Sequence, residues 1–460
     1  MHYLASIELW LFLSSSLLIG AGILCQFDQK RLAGISNVML VAVFALHQFR
    51  DGILPDQFID NIAGIYGLFV IAACALANLF FISVKNKNFA WEYLPLNLLN
   101  LLGGFVVLRS DNLLTLFLGL EIQALVCYIL CSFLHDSYPL ASEASVKYFS
   151  LGAINTCITL FGISFIYGFV GSVNYSVISS AELNLAARLG ICLVILGLLF
   201  KLAAAPLHTW MLDVYQESSI FALSTFMSIS KVTALLALII VLRETMHSWP
   251  LERIVIPILQ FSAALSLFIG CFGALRQENF KRFLAYNGVF NISYVLMSLS
   301  LLEYNLALMY LMVYSINSLL VLSILASSNI DVDNLEINHL SKLKTVSKSR
   351  AFFLGISILS FIGIPPLVGF SAKYYVLYSL FVNNRYLLVL LGLLTTLVTS
   401  FYYLRIIKVL FFDKYLEESI PSYGSSSYKL YDLINICGAG FILFGWSAVD
   451  VMLQFLVSGI

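Results

Sequence analysis

The chain has 460 residues, of which 60% are hydrophobic and 11% are charged, and its mean hydropathy is +0.94. Soluble domains carry about 25% charged residues, so this composition excludes a soluble protein and predicts one that crosses a membrane many times. Basic and acidic residues balance at 25 each, and a chain without excess basic charge gives no indication of nucleic-acid binding.

Apolar windows of about 20 residues predict an all-α membrane protein with about 14 transmembrane helices. In chain order, the predicted spans lie near 4–24, 34–49, 62–84, 90–108, 112–134, 145–171, 187–215, 219–242, 251–271, 282–301, 304–327, 351–380, 386–412 and 430–456. The first span follows no basic region and precedes no small-residue cleavage site, so we expect it to stay in the protein. The second span is the weakest, because it is short and contains His47. A count of 13 would place the two termini on opposite sides of the membrane.

Basic residues are distributed unequally between the loops. Loops after odd-numbered spans hold fourteen, and loops after even-numbered spans hold six. The fourteen are Lys30, Arg31, Lys85, Lys87, Lys147, Arg276, Lys281, Arg282, Lys342, Lys344, Lys348, Arg350, Lys414 and Lys429, and the six are Arg50, Arg109, Arg188, Arg243, Arg253 and Arg385. Because inner-side loops are enriched in lysine and arginine, both termini are predicted to lie on the outer side. The long polar stretch 328–350 is then an inner-side connector between two halves.

The cysteines give no indication of a metal or iron–sulfur site. The eight cysteines include no CxxC pair and no Cys/His cluster with the spacing of metal ligands. Cys127 and Cys131 stand one helical turn apart in an apolar span, and we interpret them as packing residues. The sequence contains no recognisable quinone or nucleotide site either, so no cofactor is expected in this chain.

The seventh and twelfth spans are too long for one straight crossing, and each is interrupted by proline. The seventh contains FKLAAAPLHTW with Pro206, and the twelfth contains GIPPLVGFSAKYYV with Pro365 and Pro366. Proline removes a backbone donor and clashes with the preceding turn, so both helices are predicted to unwind locally. Broken helices at matching positions are typical of inverted-repeat transporters, in which the freed backbone lines a cavity near the midplane. Two ordinary proline kinks are the alternative interpretation.

This pattern divides the chain into four regions. Residues 1–89 hold the first three helices, and residues 90–242 form a first five-helix repeat. Residues 251–412 form a second, inverted repeat that includes the inner-side loop 328–350. Residues 413–460 contribute a loop and the last helix.

Four ionisable side chains lie inside the apolar runs, namely Glu121, Lys201, Lys231 and Lys373. A charge at the bilayer centre costs on the order of 3 kcal/mol, so each needs a partner, water or both. Intramembrane charges also mark ion and proton paths, and both desolvation and a neighbouring cation favour the neutral form of a lysine. The four residues are therefore candidates for proton translocation.

Five stretches between about 110 and 380 resemble the antiporter-like membrane subunits of respiratory complex I. They are LLTLFLGLEIQ around Glu121, FKLAAAPLHTWMLDVYQ around Lys201, SISKVTALLALI around Lys231, NFKRFLAYNGVFNISYVL at 279–296 and GIPPLVGFSAKYYV around Lys373. The resemblance implies a proton-translocating membrane-arm subunit of NADH:ubiquinone oxidoreductase, whose redox chemistry takes place in other chains. It implies FMN, iron–sulfur clusters and ubiquinone on those chains and no cofactor in this one. The implied partners are other membrane-arm subunits, namely the antiporter-like subunit of the fourth type and the small subunits on the opposite side, with the lipid bilayer around them.

Several positions depart from the family pattern. Tyr215 stands where sister subunits carry histidine, Lys373 stands where the fourth type carries glutamate, and the segment 211–220 lacks the usual prolines. Asn291 occupies a position where histidine is common. Asparagine can hydrogen-bond and order water but cannot carry a proton at neutral pH, so we assign no titrating role to this helix.

The residue types support a switch at the first helix break. In this hypothesis Lys201 alternates between Glu121 and the side of Lys231, and so loads and releases one proton. Lys373, beyond the second break, relays the proton toward the outer side. His208 either relays between Lys201 and Lys231 or caps the broken backbone.

Further polar residues form a trace along the tenth and eleventh spans. This trace agrees with a water-filled proton path, and hydrogen bonding between helices explains it equally well. Its members are Tyr286, Asn287, Asn291, Tyr294, Tyr310, Tyr314 and Asn317.

Two other functions fit the same sequence. One is a subunit of a multi-subunit sodium/proton antiporter, which needs the same buried charges, and the other is a scaffold whose charges only fix helix packing. The 36 phenylalanines and 24 tyrosines, with no targeting peptide, indicate a multi-pass protein of the mitochondrial inner membrane. A bacterial plasma membrane is the alternative location.

Overall fold

The computed structural model describes residues 92–132, 139–181, 183–246, 249–328, 335–413 and 429–445, with a few helical residues at 11–12, 14–18, 35–40, 67, 72 and 74. The predicted N-terminal region, residues 1–89 with its three spans, therefore lies almost wholly outside the described residues. The same is true of 414–428 and of the end of the last predicted span.

Within these ranges the chain is helical apart from two isolated backbone bridges. We number the α-helices in chain order. They are α1 (Tyr93–Leu108), α2 (Leu113–Ser132), α3 (Pro139–Val170), α4 (Tyr175–Ser180), α5 (Leu185–Leu202), α6 (Thr209–Glu217), α7 (Ile220–Thr245), α8 (Trp249–Ala274), α9 (Phe280–Leu299), α10 (Tyr304–Ala326), α11 (Ser341–Val346), α12 (Lys348–Ile362), α13 (Val368–Val382), α14 (Tyr386–Phe411) and α15 (Lys429–Phe444).

Seven of the described helices are long and apolar enough to cross a membrane, namely α2, α3, α5, α7, α8, α10 and α14. Helix α1 is a shorter apolar helix. The all-helical membrane architecture is therefore as predicted, and the element bounds differ only locally. Helix α3 begins six residues before its predicted start, and the short helix α4 lies within a predicted loop.

Both proline-containing runs are interrupted. Helix α5 ends at Leu202, Ala203 takes a left-handed conformation (φ 58°), and α6 continues the run from Thr209. Helix α12 ends at Ile362, Gly363 is left-handed (φ 85°), and α13 continues from Val368. The Ala205–Pro206 and Pro365–Pro366 peptide bonds are cis. A left-handed residue closes the hydrogen bonding of a helix end, and proline prevents its resumption for several residues.

Helices α7 and α10 form the centre of the described bundle, since both are almost completely buried. Helix α9 lies beside them and packs against both α6 and α13, which are the second segments of the two broken helices. In contrast, α3 and α14 expose long apolar faces. Such faces suit contact with lipid or with a neighbouring membrane subunit.

The segment between α10 and α12 is shorter than the predicted inner-side loop 328–350. Its described residues contain a 3₁₀ turn at Ile337–Leu340 and helix α11, and α12 already begins at Lys348. Arg350, a predicted loop residue, lies in α12 and is buried, and its guanidinium donates to the Ser327 carbonyl at 2.6 Å. Four apolar side chains in the described part of the connector are buried, namely Leu335, Ile337, Leu340 and Leu343, which explains why this polar stretch folds onto the helix bundle.

Glycines allow α3 and α5 to cross at close range, which leads to a stability prediction. A Cβ atom on Gly190 would lie 2.7 Å from the Gly162 carbonyl oxygen. We expect Gly190→Leu to destabilise the protein by about 1–3 kcal/mol, because overpacking forces the two helices apart. Thermal unfolding of the purified protein measures this loss. Gly168→Leu is the matched control, because a Cβ on Gly168 meets nothing within 4 Å, and equal losses in both variants would contradict the packing argument.

Candidate functional site

Glu121 and Lys201 form an ion pair between α2 and the end of α5. The Lys201 Nζ donates to Glu121 Oε1 at 3.0 Å and to the Leu120 carbonyl, also at 3.0 Å. The side chains are 17% and 22% exposed for the lysine and the glutamate. A charge-assisted hydrogen bond in such a setting compensates some of the desolvation of both groups. The ion pair therefore links α2 to the end of α5, directly before the first helix break.

A cavity of about 40 Å³ lies beside Lys201. Its lining includes Gln123, Cys127 and Ser230, and the Cys127 sulfur lies 3.3 Å from the Ser230 hydroxyl. Ser230 is the residue before Lys231. A space of this size with several polar neighbours is large enough for water. The cavity therefore borders both Lys201 and the residue before Lys231.

Lys231 is buried at the centre of the bundle, directly after a π-helical turn at Phe226–Ser230. Its Nζ lies 5.5 Å from the ring centroids of both Tyr215 and Tyr314. A Cβ on Gly288 would stand only 2.8 Å from this Nζ. The ammonium has no hydrogen-bond partner among the residues that the structure describes. Two aromatic faces and a glycine backbone therefore form its immediate surroundings.

Lys373 connects the two segments of the second broken helix. It belongs to α13, and its Nζ donates to the Phe361 carbonyl at 2.7 Å and the Ile362 carbonyl at 3.1 Å, at the end of α12. The same Nζ lies 5.4 Å from the ring centroid of Phe290 and 5.8 Å from that of Tyr294. The last carbonyls of a helix lack partners within the helix and carry a partial negative charge. The ammonium therefore compensates the C-terminal end of α12.

A chain of hydrogen bonds occupies α9, α10 and α14 between these two lysines. The Tyr310 hydroxyl donates to Asn291 Oδ1 at 2.9 Å, and Asn291 Nδ2 donates to Asn287 Oδ1 at 2.7 Å. The Tyr403 hydroxyl also bonds to Asn287 Oδ1. Asn291 thus stands in a hydrogen-bonded network that joins three helices.

His208 directly precedes α6. Its imidazole interacts with the Pro206 backbone, and it makes no side-chain bond to the first amides of α6. Its Nδ1 has no partner within the described ranges. No described hydrogen bond or ion pair joins it to Lys201 or Lys231, so its relay function stays a prediction.

Charged residues cluster where α3, α6 and α9 meet. Lys147 lies 2.8 Å from Glu143 and 3.3 Å from Asp213, and Arg282 donates to Gln216 at 3.3 Å. Asp213 therefore ties α6 to α3. Within the described regions of the chain, no three His, Cys, Asp or Glu side chains are placed to hold a metal ion.

The structure brings Glu121 and Lys201 together and places Lys231 and Lys373 in separate environments. Sequence reasoning did not identify Gly288 or the Phe361 and Ile362 carbonyls as neighbours of the lysines. A glycine within an otherwise large-residue helix was the available signal for Gly288. No residue type could have indicated the two carbonyls, since every residue carries one.

The chain is similar to known proteins over most of its length. A family model described as NADH:quinone oxidoreductase/Mrp antiporter, TM, matches residues 110–399. The NADH-quinone oxidoreductase subunit N of Rickettsia prowazekii is 35% identical over 371 residues, which are 78% of this chain and 79% of that protein.

Two solved structures share the fold. A chain of respiratory complex I from Thermus thermophilus with bound aureothin gives a TM-score of 0.81 at 22% identity, and the match covers 99% of this chain and 98% of that one. A chain of the Mrp complex from a Dietzia species gives a TM-score of 0.85 at 17% identity, and the match covers 100% of this chain and 97% of that one.

Proposed function

Because this chain belongs to the family of membrane subunits common to NADH:quinone oxidoreductases and Mrp antiporters, we propose that it is the proton-translocating membrane-arm subunit of an NADH:quinone oxidoreductase, of the kind called subunit N or subunit 2. The observation that carries this proposal is the Glu121–Lys201 pair beside a broken helix, in the region that the family model covers. The chain acts within an enzyme complex, and electron transfer takes place in other subunits.

The mechanism rests on the separate environments of the lysines. With Lys201 held by Glu121, the ammonium is stabilised in its charged form. When that pair opens, Lys201 is left beside the cavity that leads to Ser230 and can release its proton toward Lys231. Lys373 then passes the proton toward the outer side. Each proton moved against the membrane potential requires about 2.3 kcal/mol per 100 mV, which quinone reduction elsewhere in the complex supplies.

Two inverted five-helix repeats within a 14-helix fold belong to this proposal, and two backbone bridges support them. Asn112 pairs with Asn174, and Asn279 pairs with Glu336. Each bridge joins the loop between the first two helices of a proposed repeat to the loop after its third helix. Asn112 and Asn279 both also accept a hydrogen bond from the first turn of the following helix. The predicted topology places the first bridge on the outer side and the second on the inner side.

The two proposed repeats differ in their charged residues. Glu121 lies nine residues after Asn112, and the residue nine after Asn279 is Gly288. Lys201 lies two residues before the left-handed Ala203, whereas Phe361 lies two residues before the left-handed Gly363. The second repeat therefore carries neither member of the ion pair at the corresponding positions, and we assign the switch to residues 90–242 alone.

Location, partners and cofactors extend the proposal. The relative from Rickettsia is bacterial, which fits the plasma-membrane alternative, and the mitochondrial inner membrane stays a prediction from composition. The loop charges support both termini on the outer side. We expect the fourth-type antiporter-like subunit and the small membrane subunits as neighbours, with FMN, iron–sulfur clusters and ubiquinone held by other subunits.

Native-gel migration of the intact membrane complex tests the proposed function. We expect this chain to migrate in a large assembly that contains flavin and iron–sulfur proteins and oxidises NADH. A sodium/proton antiporter subunit would migrate without flavin and iron–sulfur proteins, and that result would contradict the proposal. Immunodetection of this chain after mild solubilisation supplies the measurement, and cell fractionation on the same material decides the membrane.

A further inference from the structure

Most polar side chains between Lys231 and Lys373 are already engaged by other protein groups. Asn291 uses its amide nitrogen toward Asn287 and its oxygen toward Tyr310, so each of its polar atoms has a protein partner. Asn287 Nδ2 lacks a partner among the described residues, but an amide nitrogen can only donate. This network holds helices together, because its tyrosine hydroxyls already donate to asparagine oxygens.

Tyr314 differs from these residues. Its side chain is buried, and its hydroxyl has no partner within the described ranges. The Lys231 Nζ lies over its ring, and a Cβ on Gly288 would lie 2.8 Å from that Nζ and 3.3 Å from the Tyr314 hydroxyl. The Lys231 Nζ and the Tyr314 hydroxyl therefore both lie close to Gly288 of α9, where a larger residue would place its side chain. A phenol can accept one proton while it donates another, and it need not ionise to do so.

Tyr314 also contacts a residue that binds Lys373. Its ring contacts the Phe361 ring at 5.9 Å between centroids, and the Phe361 carbonyl accepts a hydrogen bond from the Lys373 ammonium. Asn317 Oδ1 and Ser360 Oγ, on the two helices that meet here, are likewise buried without a partner in the described residues. Helix α9 presents Gly288 to Lys231, and it presents Phe290 and Tyr294 to Lys373. At a rise of 1.5 Å per residue, these positions lie within about 9 Å along the helix axis.

We propose that the Tyr314 hydroxyl carries the proton from Lys231 toward Lys373, and that Gly288 keeps the space in which the ammonium and the hydroxyl meet. This inference rests on the proposed proton-translocating function. In the step, the Lys231 ammonium moves within hydrogen-bond distance of the hydroxyl in the space beside Gly288 and gives a proton to the hydroxyl oxygen. The hydroxyl proton leaves to water that leads to the neutral amine of Lys373. Lys231 becomes neutral, Tyr314 remains a neutral phenol, and Lys373 gains the charge.

The test measures the ratio of pumped protons to transferred electrons for the intact complex in proteoliposomes. Tyr314→Phe removes only the hydroxyl and keeps the ring against Lys231 and Phe361. We expect this variant to assemble and transfer electrons normally, and to lose the same share of the ratio that Lys231→Met loses. Tyr310→Phe is the matched control, because its hydroxyl belongs to the engaged network, and it should keep the native ratio.

The outcomes separate this inference from the function on which it rests. A native ratio in Tyr314→Phe, with a lowered ratio in Lys231→Met, overturns the relay and leaves the proposed function intact. A native ratio in Lys231→Met overturns both. Equal losses in Tyr310→Phe and Tyr314→Phe also overturn the relay, because they indicate a general effect of lost hydroxyls. If Tyr314→Phe does not assemble, Gly288→Ala replaces it with Gly168→Ala as control, and a native ratio in Gly288→Ala overturns the relay.

Discussion

Replacing Lys201 by methionine should lower the amount of assembled complex strongly and abolish the proton translocation of this subunit. The substitution leaves the Glu121 carboxylate without the cation that it contacts at 3.0 Å. Breaking a buried pair on one side costs on the order of 3 kcal/mol, because one charge stays in an apolar setting. The amount of complex on native gels measures the first effect, and the proton-to-electron ratio measures the second.

The Glu121→Gln/Lys201→Met double variant separates the two effects. Removing both charges removes the uncompensated group, so assembly should return close to the native amount. Proton translocation should stay lost, because neither partner of the switch remains. Native pumping in the double variant would contradict the switch and favour the scaffold function.

Replacing Lys231 by methionine should also abolish proton translocation through this chain, but it should leave assembly native. Its Nζ forms no hydrogen bond within the described residues, so methionine leaves no donor or acceptor unpaired and fills a similar volume. In the proposed path the proton leaves the first repeat through the Lys231 ammonium, which this variant lacks. Proton-to-electron ratios in proteoliposomes, with NADH oxidation measured in parallel, give the result.

Lys147→Met is the control for Lys231→Met. Lys147 pairs with Glu143 and Asp213, with roughly half of its side chain exposed, and exposed pairs contribute about 0–1 kcal/mol. We expect assembly and pumping to remain native in this variant. A similar loss of pumping from both lysines would mean that overall charge, and not the position of Lys231, is responsible.

The sequence predicts this architecture well because membrane helices follow from composition. Apolar length predicts the long helices between α1 and α14 within a few residues, apart from the early start of α3, and it misses the short helices α4 and α11. Proline places both interruptions. The prediction is weaker at 328–350, where apolar residues at helical spacing are few and Arg350 has the character of a loop residue. That arginine is buried because the Ser327 carbonyl accepts its hydrogen bond, a contact between residues 23 positions apart that no local pattern contains.

The candidate site could be predicted only by residue type. Intramembrane charge selects Glu121, Lys201, Lys231 and Lys373, and the structure shows that their surroundings differ. Lys201 has a carboxylate, Lys373 has two carbonyls, and Lys231 has aromatic faces. These differences arise from which helices meet at each lysine, and helix packing is decided by the whole chain.

At the second helix break, the position of Lys373 couples the charge of one side chain to the arrangement of two helix segments. The ammonium on α13 is attracted to the terminal carbonyls of α12, so a single positive charge draws the two segments toward each other. Loss of its proton weakens that attraction, because the neutral amine keeps N–H donors but no longer carries the positive charge. The charge state of Lys373 therefore sets how strongly α12 and α13 are held together. A movement that separates the two segments would in turn change the proton affinity of Lys373.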